Sequence, residues 1–308
     1  MAKLQNLARC LLAAYCISIL NVYASDRDTS KRPFYIIGHM VNSIRQVKHY
    51  LDRGSNALES DIQFFNNGSV SYIYHGFPCD CWRTCSYHVP MSDYLKHVRD
   101  ITDPDIEDSY HEKMLLQMLD LKLSTSGNKT ESGRDVARHV LDFLWSKDGK
   151  RKTEVRVLIY LDDVTSDQEF VSGFLAEFQD RGQERRLADV GFDGGSGNLF
   201  DNRRTLLDIG IKNVWQGDGR TNCVSAFYPD GRLRRAIALR DARRGKGKVY
   251  HWTIDLKLRM RLSLNLGVDA ILTNDPDDLL EVVRESYYAG DYRLATVDDD
   301  PFEKYVKE

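Results

Sequence analysis

The chain has 308 residues, of which 42% are hydrophobic and 29% charged, and its formal net charge is −3. That length holds one large domain or two small ones, and the composition is that of a soluble globular protein. The slight acidity, with no basic cluster interleaved by aromatics, excludes the electrostatic footprint of a nucleic-acid binder.

The N-terminus reads as a signal peptide. Lys3 and Arg9 form a weak positive region, Cys10 to Leu20 is an uncharged apolar core, and Val22-Tyr23-Ala24 suits cleavage after Ala24. The apolar core is too short for a membrane span, which needs about 20 residues. Residues 1–24 are thus expected to be a signal segment and 25–308 a single secreted domain, with no transmembrane segment in the mature chain. Four cysteines remain after cleavage: Cys79, Cys81, Cys85 and Cys223. In an oxidising compartment they are expected to form disulfides, in any of three connectivities. Zinc is the rival reading, but no histidine stands beside them at finger-like spacing. Asn67-Gly68-Ser69 and Asn128-Lys129-Thr130 are glycosylation sequons in turn-like surroundings, which fits secretion.

After Lys31, β-rich runs alternate with helical patterns. Phe34–Ile37, Ala57–Phe64, Val70–Tyr74, Met114–Leu121, Val155–Leu161, Val190–Asp193, Asn213–Gln216, Lys248–Ile254 and Ala270–Thr273 read as strands. Helical spacing falls on Val41–Leu51, Asp93–Ile101, Gly133–Trp145, Asp167–Asp180, Arg203–Ile209, Leu233–Arg244, Leu256–Leu266 and Pro276–Ser286. With roughly eight strands, regular alternation and no break in composition, the expected fold is α/β, a single-domain (β/α)8 TIM barrel. A doubly wound open sheet is the runner-up, weakened by the lack of GxGxxG or a P-loop after the first strand.

The chemistry-bearing residues gather at the ends of these strands. Glu59 and Asp61 are two apart on one strand, so period-two alternation points both carboxylates to one face. His39 follows the first strand directly and His75 the third, while Asp120 and Lys122 end the fourth. In a barrel all of these share the mouth formed by the carboxyl ends of the strands. Carboxylates with room for water suit a hard cation such as Mg2+. A cation bridging Glu59, Asp61 and Asp120 would neutralise a phosphodiester, Lys122 would add a positive contact, and the histidines would transfer protons, or one of them would attack phosphorus. His49, His88, His97, His111, His139 and His251 read as surface or capping residues. Tyr250 and Trp252 share a face of a late strand and either pack the barrel core or bind a quaternary ammonium group. Asp255 and Asn274 also end strands.

These motifs together resemble the secreted arachnid phospholipase D family, also called sphingomyelinase D or dermonecrotic toxins, a branch of the glycerophosphodiester phosphodiesterase-like barrels. The resemblance rests on Gly38-His39-Met40-Val41-Asn42, Glu59-Ser60-Asp61, the run from His75 to Cys81 and Asp120-Leu121-Lys122. Thr221-Asn222-Cys223, Tyr250-His251-Trp252-Thr253 and Thr273-Asn274 support it.

The resemblance implies His39 and His75 as catalytic residues, Glu59, Asp61 and Asp120 as ligands of one Mg2+ ion, and Lys122 beside them. It implies disulfides Cys79–Cys85 and Cys81–Cys223. It also implies removal of the headgroup of sphingomyelin or lysophospholipids at a membrane surface. There a lipid hydroxyl attacks phosphorus and leaves a cyclic phosphate, a lyase reaction. Two departures stand out. The C-terminal run Ala295-Thr296-Val297-Asp298-Asp299-Asp300-Pro301-Phe302 ends in Asp-Asp-Pro-Phe where the family has Asp-Asn-Pro-Trp, which bears on how the tail plugs the barrel floor. Asp275 stands where many members carry a tyrosine, which bears on choline versus ethanolamine preference. The competing readings are a barrel hydrolase of soluble glycerophosphodiesters and a non-catalytic secreted binding protein on the same fold. Nothing suggests an obligate interface, and a monomer is the default.

Overall fold

Strand alternation sorts the apolar residues into an inner and an outer set. The computed structural model describes residues 30–242 and 247–306, so the expected signal segment 1–24 lies outside the described residues. In β1 (Arg32–Gly38), Tyr35 and Ile37 join a cluster inside the barrel, while Phe34 and Ile36 join one beneath the surrounding helices. The same division recurs in later strands: Leu158 packs inward and Val157 and Ile159 outward. Such strands are buried on both faces, as a parallel sheet covered by helices requires.

The other strands are β2 (Ala57–Phe64), β3 (Val70–Ile73), β4 (Leu116–Leu121), β5 (Arg156–Tyr160), β6 (Val190–Asp193), β7 (Val214–Gly219), β8 (Lys248–Trp252), β9 (Ala270–Thr273) and β10 (Tyr292–Leu294). Parallel pairing runs from β1 through β2, β4, β5, β6, β7, β8 and β9 and closes back on β1, giving a barrel of eight staves. The principal helices are α1 (Ile44–Asp52), α2 (Met91–Ile101), α3 (Lys129–His139), α4 (Gln168–Asp180), α5 (Leu199–Asp208), α6 (Asn222–Ser225), α7 (Gly231–Ala242), α8 (Lys257–Leu266) and α9 (Pro276–Val283).

Several elements depart from the sequence reading. The run at 70–74, read as a barrel strand, is the antiparallel arm β3 folded back on β2. Residues 65–69 are too short for a parallel crossover, which needs about a dozen residues. α3 starts at Lys129 because Asn128 caps it, accepting from the Glu131 amide at 3.1 Å, and Gly133, the expected start, lies within the helix. There Gly133 allows a close helix crossing, since a Cβ would lie 2.1 Å from the Phe170 carbonyl oxygen. β10 was not expected from the sequence; it adds to the start of β1.

The tail closes the floor despite its altered sequence. Phe302 is fully buried in the interior cluster, and the indole of Trp215 donates to the Pro301 carbonyl at 2.9 Å. Gly191 makes the room, because a Cβ there would lie 2.3 Å from the Phe302 ring. The acidic run is also structural in part: Asp299 accepts from both terminal nitrogens of Arg293 at 2.7 Å.

His251 is a correction. It is not at the surface but 1% exposed on the outer face of β8, with Nδ1 2.8 Å from the Ser263 hydroxyl. Burial there pushes its pKa down to about 4 from 6.5.

Two predictions concern stability. Phe302→Ala removes a fully buried ring and should cost about 3–5 kcal/mol, read from denaturant unfolding. A loss below about 1 kcal/mol would contradict the plug. Between pH 6.5 and about 4 the unfolded chain binds a proton at His251 that the folded chain does not. Stability should therefore fall as pH drops through that window. The thermal midpoint of His251→Gln should fall less than that of the native protein over the same range.

Candidate active site

The acidic triad follows directly from strand register. Glu59 and Asp61 alternate onto the inner face of β2, and Asp61 pairs with Asp120 on neighbouring β4. One carboxylate oxygen from each of Glu59, Asp61 and Asp120 lies within 4.8 Å of the others. Glu59 Oε2 accepts from the Met40 amide at 2.6 Å, while its Oε1 is buried with no hydrogen-bond partner among the described residues. Lys122 Nζ lies 2.9 Å from Asp61 and 2.7 Å from Asp120.

One lysine does not balance three buried carboxylates. Burial and the charges of Asp61 and Asp120 hold the Glu59 pKa well above the usual carboxylate range. Burial pushes Asp120 up to about 6, against the pull of Lys122. Burial also opposes ionisation of Asp61, but Lys122, His75 and Asn42 outweigh it and keep this pKa low. Such a donor set, with an orphaned oxygen and unrelieved like charge, fits a hard divalent cation, and these three residues can hold a metal ion.

Hydrogen bonds fix both imidazoles. His39 Nδ1 is 3.0 Å from Asn274 Oδ1, and Asn274 Nδ2 donates to Asp255 at 2.8 Å. The Asp255 carboxylate requires the amide's NH2, so the amide oxygen faces His39 and accepts from Nδ1–H. That leaves Nε2 of His39 as the free acceptor, 3.8 Å from Asp80 Oδ2. Burial lowers the His39 pKa, with Asp80 opposing. His75 Nδ1 donates to the Gly76 carbonyl at 2.8 Å, which likewise leaves Nε2 available.

A pocket of about 170 Å³ brings together His39, Glu59, Asp61, His75, Asp120, Lys122, Tyr250 and Trp252. Tyr250 lies at its base, 1% exposed, hydrogen-bonded to Asp193 and 6.1 Å from the Trp215 ring. Asp255 and Asn274 do not line this pocket. They border a larger neighbouring cleft of about 730 Å³, so Asn274 reaches the site through His39. Asp275 is in that cleft too, 3.6 Å from Arg53.

Sequence reasoning missed Asp80 and Asp193. Asp80 lines the pocket and is pinned by Thr221 Oγ1 at 2.8 Å. Nothing in a Cys-Asp-Cys string marks it. Asp193 is fully buried and accepts from the Gly195 amide at 2.6 Å and the Gly217 amide at 3.0 Å. Burial raises its pKa to about 7. It closes β6 just as Asp120 nearly closes β4, so the same strand-end rule would have found it.

Disulfides brace the rim. Cys79 is bonded to Cys85 and Cys81 to Cys223, which joins the loop after β3 to the loop after β7. Asn222 Nδ2 strengthens that joint by donating to the Cys81 carbonyl at 2.9 Å and to Asp255 at 3.0 Å.

Three carboxylates that can hold a metal ion, beside two histidines with fixed imidazoles and inside a closed parallel barrel, are an arrangement suited to phosphodiester chemistry. Solved structures agree at the level of fold. A putative glycerophosphoryl diester phosphodiesterase from Silicibacter pomeroyi superposes with a TM-score of 0.52 at 14% identity, covering 85% of this chain and 95% of that one. A putative glycerophosphodiester phosphodiesterase from Galdieria sulphuraria also gives 0.52, at 12% identity, covering 83% and 99%.

Sequence similarity is narrower. Residues 29–302 match the dermonecrotic toxin SPH family. A dermonecrotic toxin of Loxosceles cf. spinulosa is 38% identical over 278 residues, 88% of this chain and 100% of the toxin. One from Hemiscorpius lepturus is 37% identical over 289 residues, 90% of this chain and 86% of the toxin. The chain belongs to the dermonecrotic toxin family, whose members are phospholipase D-type enzymes.

The triad yields a prediction independent of turnover. Mg2+ or Mn2+ should raise the thermal midpoint of the native protein, and Glu59→Gln should weaken the apparent affinity at least tenfold. Equal titration curves for the two proteins would remove Glu59 from the metal site.

Proposed function

We propose that the protein is a secreted, Mg2+-dependent sphingomyelinase D-type phospholipase. In this reading it removes choline or ethanolamine from sphingomyelin and lysophospholipids and leaves a cyclic phosphate. The observation that carries the reading is that His39 and His75 line one pocket with Glu59, Asp61 and Asp120, with Nδ1 of each histidine held so that Nε2 is free for proton transfer. Secretion is supported by the signal-like residues 1–24 and by the two disulfides. Asn67 and Asn128 are the proposed glycan acceptors; both are exposed, and Asn67 Oδ1 accepts from the Ser69 hydroxyl at 2.8 Å. Among the described residues no helix is long and apolar enough to cross a membrane.

The proposed reaction is a transfer within the lipid. A free hydroxyl of the substrate attacks phosphorus, its proton passes to Nε2 of one histidine, and a new P–O bond closes a ring. The P–O bond to the headgroup breaks, and the departing oxygen takes a proton from Nε2 of the other histidine, which enters the step as the imidazolium. Mg2+ held by Glu59, Asp61 and Asp120 supplies charge neutralisation at the phosphate. Lys122 adds fixed positive charge beside Asp61 and Asp120. Asn274 and Asp255 keep His39 in the tautomer the transfer needs. Asp80 faces the same imidazole and favours its charged form once it has taken a proton.

The test is headgroup release from sphingomyelin. His39→Ala and His75→Ala should each lower it by about 10²–10⁴-fold with the circular dichroism spectrum unchanged. EDTA should abolish it and Mg2+ restore it. Full activity in chelator, or an unchanged rate for either variant, would contradict the assignment.

A further inference from the structure

The rim of the barrel carries apolar side chains that none of the described residues covers. Trp82 is 101% exposed, Phe77 93%, Phe227 88% and Leu258 76%. All four stand on segments on the side where the pocket opens: two of these segments follow carboxyl ends of barrel staves, and the third begins at His75, which lines the pocket. Phe77 and Trp82 are on the loop after β3, Phe227 on the loop after β7, and Leu258 in the first turn of α8 after β8.

These segments form one braced unit. Cys81–Cys223 joins the first to the second. Asn222 reaches Asp255 at 3.0 Å, and Arg259 donates to the Tyr228 carbonyl at 3.3 Å and to Asp230 at 2.7 Å, which joins the second to the third. Leaving large apolar groups in water on a crosslinked support is a standing cost that contact with an apolar phase would remove.

From this geometry we infer that the braced rim is a membrane-docking surface, with Trp82, Phe227 and Leu258 entering the interfacial layer of a phospholipid bilayer. The inference rests on the lipid-substrate reading and adds how the enzyme reaches that substrate. The shape favours a bilayer over a protein. Side chains exposed one by one present no packed patch of about 800 Å², the area that a standard protein interface buries on each partner. Separate wedges suit a fluid interface, where tryptophan is enriched. The cations beside Leu258 are already paired, Arg259 with Asp230 and Lys257 with Glu281 at 2.7 Å each. Beside Leu258, docking therefore draws on apolar contact.

The experiment compares the native protein with Trp82→Ser/Phe227→Ser/Leu258→Ser and the three single variants, in EDTA, by sedimentation with sucrose-loaded palmitoyl-oleoyl phosphatidylcholine vesicles. The triple variant should bind at least tenfold more weakly and the singles by graded steps. With Mg2+ added, turnover of lysophosphatidylcholine below its critical micelle concentration should stay within twofold for every variant that folds. Unchanged sedimentation of the triple variant, or of all three singles should the triple not fold, would overturn the inference. So would a native protein that never pellets. A native dimer in analytical ultracentrifugation that the substitutions dissolve, with vesicle binding intact, would assign the rim to a second copy. If the native protein pellets through these residues but turns over no phosphodiester, the docking surface stands and the reaction reading falls.

Discussion

Three carboxylates converge at the barrel mouth, Glu59 and Asp61 buried and Asp120 half-buried, and the rest of the site is arranged around that repulsion. Two unit charges about 4 Å apart repel by about 4 kcal/mol at an effective dielectric near 20. Lys122 offsets part of this and favours Asp61, so Glu59 and Asp120 are left with raised pKa values. A divalent cation bound here would therefore compete with protons for Glu59 above all, and less for Asp120. Any metal binding at this mouth would be linked to proton release, a consequence of β2 and β4 lying in register with Asp61 beside Asp120.

The barrel makes that arrangement rigid from below and the disulfides make it rigid from above. Phe302 and Trp215 fill the floor, and Tyr250 sits between Trp215 and Asp193 under the pocket. Above, Cys81–Cys223 and Asn222 hold the loops that deliver Asp80 to His39 and Asp255 to Asn274. The two histidines are therefore backed differently. The Nδ1 of His39 is held by a side-chain relay, whereas the Nδ1 of His75 is held by one backbone carbonyl. The loops that position His39 also carry the exposed Trp82 and Phe227, so the proposed docking surface and the chemistry share one scaffold.

Much of this was legible in the sequence where period and position coincide. Glu59 and Asp61 share a face because they are two apart on a strand, and the alternation of strands and helices is sufficient for the barrel. His75 was placed at the mouth for a partly wrong reason, since its strand is an antiparallel arm and not a stave. What stayed hidden depends on contacts between distant segments. Asp80 matters only because the chain folds it onto His39. Asn274 acts from a neighbouring cleft through a hydrogen bond that no spacing encodes. His251 looked like a surface residue because one histidine on an alternating strand does not reveal which face is covered. The floor plug survives a change of sequence because the site accepts an aromatic ring over Gly191, and here phenylalanine fills it.

The central claim is that a hydroxyl of the lipid itself, and not water, attacks phosphorus at this mouth. Phosphorus NMR of the reaction with sphingomyelin, followed from the first turnovers in the presence of Mg2+, reads this directly. The account predicts a cyclic phosphate resonance as the first product, appearing in step with free choline. An open phosphomonoester formed at once, with no cyclic species preceding it, would contradict it.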